Sequence, residues 1–347
     1  MKSNLKNLLE NILADETINE HELINQITNA INENRTDNRA NRESQSLCEL
    51  IKAKISDLKN NEKPENIINT GFDSLDQIFG GFAPGELILL GGRPSMGKTQ
   101  LLINLMLNIS KSSPVLFYTY DLSEHALINR FISCLTTINI GKIHLNKINE
   151  EEMETLSKLT SCIKDYKIYI NDTCNSSLSS FKATCQKEIQ EKGAKVIVVD
   201  YIQMMSSYKF RNNREAEISL ISRELKNIAK DFNVSVIGIS QLSRSVESRG
   251  GNKRPHLSDL RDSGALEQDA DKVLLMYRPE YYGITQDEDG NNMAGVVEII
   301  VAKNRNGMLG TAMLKVNSEF TNFTDLENYT EDFTFSSDRL NELDSLY

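Results

Sequence analysis

The sequence predicts an α/β fold in which helices cover a mostly parallel central sheet. Eight apolar runs of strand length alternate with helical patterns from residue 67 onward. The first five runs are nearly continuous in Val, Ile and Leu, which is typical of strands buried on both faces of a parallel sheet. A glycine-rich loop joins the first run to a helical pattern. These features predict one large α/β domain over residues 65–325, preceded by short N-terminal helices.

The region before this domain has helical periodicity. Residues 1–45 contain apolar residues at helical spacing as far as Ile31, and then a polar, aperiodic linker. Within residues 46–64 a second helix carries Leu47, Ile51, Ile55 and Leu58 on a single stripe. A narrow stripe of this kind suits docking on a neighbouring subunit, and packing within the same chain is an equally good interpretation.

The strands follow in order, and the spacing between them changes near the end. The first five connections carry helical patterns or longer loops, such as the pattern Ile218, Ile221, Leu225, Ile228. The last two carry turn signals alone, Asp289-Gly290-Asn291-Asn292 and Asn306-Gly307, which predicts that the sheet ends in an antiparallel hairpin. The predicted strands are Leu87–Leu90, Val115–Tyr120, Lys167–Ile170, Val196–Asp200, Val234–Ser240, Val273–Tyr277, Val296–Ala302 and Ala312–Val316.

Composition limits the class of protein. The chain has 347 residues, 39% of them hydrophobic, with no apolar run of 18 residues and no apolar signal sequence, so we expect a cytoplasmic protein without membrane contact. Its five cysteines are scattered, which indicates neither a zinc site nor a disulfide framework. The net charge is −10, and residues 325–347 hold seven acidic residues and one basic residue. We therefore expect residues 326–347 to form an acidic tail, and net charge gives no support for nucleic-acid binding.

A phosphate-binding loop is the clearest chemical signal in the chain. It fits the pattern G-x-x-x-x-G-K-[ST] between a strand and a helix, where backbone N–H groups and the helix dipole attract phosphate. The lysine is expected to reach the β- and γ-phosphates, and the threonine hydroxyl to ligate Mg²⁺. The sequence thus predicts binding of a nucleoside triphosphate through Gly92, Arg93, Pro94, Ser95, Met96, Gly97, Lys98 and Thr99.

A second nucleotide signal lies about 100 residues further on. Val196–Asp200 is an apolar strand that ends in a carboxylate. In ATPases with a phosphate loop, an aspartate in this place holds the Mg²⁺ ion, so we expect Asp200 and Thr99 to share it.

Seven stretches together make the chain resemble the ATPase domain of replicative DNA helicases of the DnaB type, which belong to the RecA-like group. The segments from 258 to 271 and from 303 to 307 are the most discriminating. All appear in the order that the family shows. They are Thr70–Asp76, Gly92–Thr99, Asp200–Met205, Glu217–Lys226, Ser240–Arg244, Ser258–Asp271 and Ala302–Gly307.

The resemblance implies roles for three further side chains. Gln241, at the end of a strand, corresponds to the family's γ-phosphate sensor. Lys303 and Arg305 correspond to a pair of cations that the family inserts into the nucleotide site of the adjacent subunit. Cations supplied in trans accelerate phosphoryl transfer by ~10³–10⁵-fold. The resemblance therefore implies a homo-oligomeric ring, with six subunits, in which catalytic sites lie between subunits.

The same resemblance implies binding of single-stranded DNA. The matching loop contains Arg261, Asp262 and Gly264, and in the family it holds the DNA backbone in the central channel. The stretch from Tyr208 to Arg214 interleaves aromatic residues with cations, which suits single-strand binding. Solvated surface loops are the alternative interpretation of both segments.

Two departures from the family affect the expected activity. The family has a glutamate that polarises the attacking water where this chain has Asp121. Aspartate is one methylene shorter, and a misplacement of ~1 Å can cost ~10²-fold in rate. We therefore expect intact nucleotide binding and slow hydrolysis, with Glu124 a weaker candidate for the base. The region ahead of the linker helix is also shorter than the family's, so a primase or loader partner is not identified.

The sequence as a whole indicates a ring-forming, ATP-dependent DNA helicase or translocase that acts in DNA replication. Two alternatives stay open. One is a RecA-like ATPase with weak hydrolysis that serves assembly or regulation. The other is a non-catalytic protein that modulates a host helicase by mixing with its subunits.

Overall fold

The fold comes from a computed structural model that describes residues 46–59, 67–172, 177–206, 213–260 and 264–326. The chain divides into two units, residues 1–65 and 66–347. The predicted helices before residue 32 and the acidic tail beyond residue 326 lie outside the described residues.

In the first unit the described residues form one helix, α1 (Leu47–Lys59). Leu47, Ile51 and Ile55 of the predicted stripe are exposed by 72%, 49% and 46%. These apolar side chains are therefore open to a partner, and the docking of this helix stays a prediction.

In the second unit the described residues build a single nine-stranded sheet in the order β3-β2-β4-β5-β1-β6-β7-β8-β9. All eight predicted strands are present, with ends that differ by up to two residues. The ninth was not predicted, because a three-residue strand is too short to show alternation. The strands are β1 (Leu87–Gly92), β2 (Val115–Thr119), β3 (Ile168–Asn171), β4 (Val196–Asp200), β5 (Ser235–Gln241), β6 (Lys272–Tyr277), β7 (Val296–Asn304), β8 (Gly310–Val316) and β9 (Phe323–Asp325).

The pairing confirms the predicted fold class. The strands from β1 to β6 pair in parallel, whereas β7, β8 and β9 add antiparallel strands at one edge. The predicted terminal hairpin is the β7–β8 pair, joined by the turn that contains Asn306 and Gly307.

Helices connect the strands, and two of them were singled out from the sequence, the helix after the phosphate loop and the pattern from 218 to 228. The α-helices of this unit are α2 (Asp73–Phe79), α3 (Lys98–Ser110), α4 (Glu124–Thr136), α5 (Ile140–His144), α6 (Glu150–Cys162), α7 (Leu178–Lys192), α8 (Arg214–Phe232), α9 (Ser245–Ser248) and α10 (Gly264–Asp269). None of the helices in the described segments is long and apolar enough to cross a bilayer.

The core lies on both faces of the sheet because strand side chains alternate between them. Ile88 and Leu90 of β1 face a cluster that includes Leu101 of α3. Leu87 and Leu89 face the opposite cluster, which includes Leu225 of α8. Helices therefore shield both faces, and the apolar strand sequences follow from this double burial.

Candidate active site

The site lies where the parallel strands end, at their carboxyl edge. Gly92 of β1 is the register partner of Gln241 of β5. Thr119 of β2 is the register partner of Asp200 of β4. In open α/β sheets, ligands bind in the crevice outside this edge. The sheet thus brings residues from four strand ends to one place.

The phosphate loop connects β1 to α3 with little freedom at its glycines. Gly97 caps α3 with a φ of 98°, a left-handed conformation that favours glycine. A Cβ atom on Gly92 would lie 3.0 Å from Cδ of Lys98. The glycines therefore allow both the turn and the close approach of the lysine stem to the backbone.

Lys98 has its ammonium group at the loop itself. Its Nζ donates a hydrogen bond to the main-chain carbonyl of Arg93 at 2.8 Å. Burial lowers the pKa of Lys98 to about 8, and the negative charge of Asp200 opposes this shift. The main-chain carbonyl of Arg93 is therefore the acceptor that holds the Lys98 ammonium group in this structure.

The side chain of Arg93 points away from the loop's interior. Its Nε contacts Glu247 Oε1 at 2.9 Å, and its Nη1 donates to the Leu242 carbonyl at 2.9 Å. Arg93 is not among the described residues that line the cavity. Its guanidinium therefore ties the loop to the segment after β5, and only its backbone faces the phosphate position.

Thr99 and Asp200 form the second half of the phosphate site. The Thr99 hydroxyl donates to Asp200 Oδ2 at 3.0 Å. Asp200 is 2% exposed, and burial raises its pKa to about 6, which leaves the carboxylate ionised at neutral pH. A hydroxyl and a carboxylate oxygen are ligands that suit Mg²⁺, which completes its shell with phosphate oxygens and water. Within the described residues no three His, Cys, Asp or Glu side chains cluster as a metal site. The hydroxyl of Thr99 and the carboxylate of Asp200 supply two oxygen ligands, which fits an ion that phosphate oxygens would share.

The predicted base and its substitute differ in placement. Asp121 follows β2 by two residues and lines the cavity. Glu124 is the first residue of α4, where it is exposed and does not line the cavity within the described chain. Of the two carboxylates, Asp121 is the one that faces the nucleotide position.

Gln241 lines the same cavity from the end of β5. Its backbone N–H donates to Gln203 Oε1 at 3.4 Å, and Gln203 Nε2 donates to Ser240 Oγ at 2.8 Å. Gln203 lies three residues after Asp200 in sequence. This amide therefore links the ends of β4 and β5; the sequence analysis included Gln203 in the Asp200–Met205 stretch but gave it no role.

The cavity has a volume of about 460 Å³ and includes side chains that the sequence analysis missed. Arg130 of α4 lies near enough to Asp200 to favour its ionised form. The others had been given no role from the sequence, although Tyr201 lies in the Asp200–Met205 stretch. The missed residues are Gln100, Leu122, Arg130, Ile140, Tyr201, Ile239, Glu319, Phe320 and Thr321.

Phe320 forms an aromatic wall of the cavity and is held in place from two sides. The guanidinium of Arg278 lies 3.7 Å from the centre of its ring. Gln100 and Asn104 of α3 each donate to the Thr321 carbonyl at 2.8 Å. The helix that starts at the phosphate loop therefore also fixes the aromatic ring.

Lys303 and Arg305 lie at the end of β7 and in the following turn, away from this chain's own cavity. Lys303 Nζ donates to the carbonyl of Glu267, and Arg305 Nη2 donates to the carbonyl of Gln268. Arg305 is also 3.8 Å from the Asp271 carboxylate, and its side chain is 49% exposed. Both cations thus donate hydrogen bonds to main-chain carbonyls near the end of α10.

The predicted DNA-binding residues are only partly described. Arg261 and Asp262 lie outside the described residues. Gly264 begins α10 and is exposed. Arg214 begins α8, where its guanidinium donates to the Gln203 carbonyl and pairs with Glu217. Arg214 is therefore engaged within the chain in this structure, and its contact with DNA stays a prediction.

Comparison with known proteins gives a consistent set of similarities. The family model described as the DnaB-like helicase C terminal domain matches residues 67–325. A probable replicative DNA helicase of Trieres chinensis is 40% identical over 262 residues, and the replicative DNA helicase DnaC of Bacillus subtilis is 37% identical over 281 residues. These matches cover 74% and 80% of this chain and 57% and 61% of the two relatives. The chain thus spans about three fifths of the length of these curated relatives.

Solved structures are similar over most of the chain. A DnaB-like replicative helicase, whose structure was described with its primase interactions, is 30% identical with a TM-score of 0.78. That match covers 94% of this chain and 76% of the other. A solved ATPase domain is 32% identical with a TM-score of 0.75, and the match covers 82% of this chain and all of that domain.

Proposed function

The chain belongs to the family of the DnaB-like helicase C-terminal domain, and from this premise we propose that it is a ring-forming, ATP-dependent DNA helicase that translocates on single-stranded DNA during replication. One observation carries the proposal. The phosphate loop, the Thr99–Asp200 pair and Gln241 meet at one cavity, while Lys303 and Arg305 lie apart from it. This arrangement suits a site that a second subunit completes.

ATP binds, in this proposal, with its phosphates on the backbone of the loop from Gly92 to Thr99. Lys98 leaves the Arg93 carbonyl to hold the β- and γ-phosphate oxygens. Thr99 and Asp200 hold Mg²⁺, which neutralises charge on the phosphate oxygens when bound. Phe320, which lines the cavity beside Gly97, supplies an aromatic face for the base.

Hydrolysis needs a base for the attacking water, and we assign that role to Asp121. Asp121 lines the cavity from the β2 side, and it is not the candidate metal ligand. Its short side chain predicts slow turnover, because the carboxylate ends farther from the water than a glutamate would. Gln241, paired in register with Gly92, is placed to sense the loss of the γ-phosphate.

The ring brings Lys303 and Arg305 to the adjacent subunit's site. Their present acceptors are main-chain carbonyls, which a phosphate with full negative charge can replace. We assign α1 to the contact between subunits, because its apolar stripe is exposed. Removing residues 1–62 is expected to give a monomer by light scattering, and a persistent hexamer would contradict this assignment.

Single-stranded DNA is the proposed substrate of the central channel. Arg261, Asp262 and Gly264 are assigned to the loop that holds the DNA backbone, and Arg214 to its margin. Contacts with the backbone are independent of base sequence, which suits a translocase. A cytoplasmic location is part of this proposal, because the bacterial relative is named a replicative DNA helicase.

A fork-unwinding assay with ATP and Mg²⁺ tests the proposal most directly. The native protein is expected to separate a forked duplex, and Lys98→Ala is expected to abolish unwinding while the ring persists. ATP-dependent assembly without unwinding would favour a regulatory ATPase. DNA binding without any ATPase activity would favour a non-catalytic modulator of another helicase.

A further inference from the structure

The turn that carries Lys303 and Arg305 is anchored by the asparagine between these two cations. Asn304 Nδ2 lies within hydrogen-bonding distance of three carbonyls: Ile78 at 3.3 Å, Phe79 at 3.4 Å and Met308 at 3.2 Å. The first two belong to the last turn of α2, where helix carbonyls lack partners within the helix. One side chain thus ties the turn both to α2 and to itself.

A second asparagine anchors the other side of the turn. Asn306 Nδ2 donates to Glu86 Oε1 at 3.1 Å. Glu86 is buried and forms an ion pair at 2.9 Å with Lys272, which is buried as well. Glu86 directly precedes β1, the strand that leads into the phosphate loop. The anchor of Asn306 is therefore a fixed part of the sheet.

Backbone contacts add to this support. The N–H of Arg305 donates to the carbonyl of Asp271 at 3.0 Å. A Cβ atom on Gly307 would lie only 2.4 Å from Asn304 Nδ2, so the glycine leaves the room that this asparagine occupies. The terminal groups of the two cations donate to the main-chain carbonyls of Glu267 and Gln268, and Arg305 also lies 3.8 Å from the Asp271 carboxylate.

We propose that Asn304 and Asn306 are positioning residues for catalysis in the adjacent subunit. Their amides fix the turn from which Lys303 and Arg305 reach the neighbour's phosphates, and they do not touch the nucleotide themselves. The inference rests on the proposed function, because it presumes that the two cations act in trans. Displacing a catalytic group by ~1 Å can cost ~10²-fold in rate, so loss of either anchor has a large effect.

The experiment compares Asn304→Ala and Asn306→Ala with the native full-length chain. Each is expected to lower ATP turnover by ~10–10²-fold. The affinity of each variant for a fluorescent ATP analogue is expected to stay within about threefold of native, since its own phosphate loop is intact. Asn291→Ala, in an exposed turn elsewhere, is the matched control and is expected to leave both quantities unchanged.

Mixing subunits separates positioning in trans from a defect of the fold. Lys98→Ala subunits have a disabled phosphate loop but an intact 303–307 turn. Where such a subunit supplies its turn to an Asn306→Ala neighbour, the site between them combines the neighbour's native phosphate loop with a native 303–307 turn. Mixed rings are therefore expected to hydrolyse ATP faster than rings of either variant alone. Rings that stay as inactive as their parents, with nucleotide binding intact, would overturn the inference.

Two further measurements make each outcome decisive. Amide hydrogen exchange from residue 303 to 307 is expected to accelerate in both asparagine variants while the strands of the sheet keep their protection. If Asn304→Ala fails to assemble into a ring, the test depends on Asn306→Ala alone, because Asn306 is exposed. Arg305→Ala distinguishes the two levels of proposal. Full activity in Arg305→Ala would contradict the trans site itself, whereas loss there with active asparagine variants would contradict only their positioning role.

Discussion

The Thr99 hydroxyl and the Asp200 carboxylate, 101 residues apart in sequence, are joined by a hydrogen bond of 3.0 Å. Thr99 is the second residue of α3 and Asp200 ends β4, and the sheet order places β4 and β1 on either side of β5. The two oxygen atoms are therefore close enough to share one ion, as the proposed role of this pair in holding Mg²⁺ requires.

Asp200→Asn is expected to abolish most of the increase in ADP affinity that Mg²⁺ produces. Even the outer partners of a metal ligand are worth ~10–100-fold in metal affinity, so the loss is expected to reach at least that range. Fluorescence titration of ADP with and without Mg²⁺ measures it. Binding without metal is not expected to weaken, and an unchanged dependence on Mg²⁺ would remove Asp200 from the metal site.

The affinity for ADP in the absence of metal is expected to fall as the pH rises through about 8. Lys98 has its pKa lowered to about 8 by burial, so it is cationic below that pH and loses its charge above it. If only the charged form binds, affinity falls ~10-fold for each further pH unit. Lys98→Arg keeps its charge throughout this range and is expected to give a flat profile. A flat profile from pH 7 to 9.5 in the native protein would contradict the assignment.

Asp121→Glu is expected to raise the rate of ATP hydrolysis, by up to ~10²-fold if the added methylene brings the carboxylate to the water. Asp121→Asn is expected to lower it, because an amide cannot accept the proton. Steady-state turnover with saturating ATP compares the three proteins. Hydrolysis by Asp121→Asn at the native rate would show that Asp121 is not the base.

Phe320→Ala is expected to weaken ATP binding and to leave the binding of inorganic tripolyphosphate unchanged. Stacking of a base on an aromatic ring is worth ~1–3 kcal/mol, which corresponds to ~5–150-fold in affinity. Isothermal titration of both ligands isolates the contribution of the base, and Phe320→Tyr is the matched control that retains an aromatic face. Equal losses for both ligands would mean that Phe320 supports the loop and does not contact the base.

Arg261→Ala is expected to weaken binding to single-stranded DNA equally for all base sequences. The loss of one phosphate contact makes the plot of log affinity against log salt concentration less steep by ~0.7, for each subunit that contacts the DNA. Anisotropy titrations at several salt concentrations measure the slope. Arg223, exposed on α8, provides the control substitution Arg223→Ala. An unchanged slope in Arg261→Ala would place the DNA contact elsewhere.

The sequence by itself determined the α/β class, eight of the nine strands in the described residues and the position of the phosphate loop. These features are local. The loop from Gly92 to Thr99 is contiguous, and strands buried on both faces are written as short apolar runs that need no knowledge of their neighbours. Asp200 was recognisable for the same reason, because it closes such a run.

Only the tertiary structure decided which side chains meet at the cavity. Phe320, Arg278 and Arg130 come from separate connections, and their meeting depends on the order in which β1, β2, β6 and β8 lie in the sheet. The direction of the Arg93 guanidinium was likewise invisible, since it depends on Glu247, 154 residues away. Local periodicity indicates which face of a strand or helix is buried, but it does not indicate which distant residue covers that face. The aromatic wall at Phe320 and the anchors of the 303–307 turn both depend on such distant contacts.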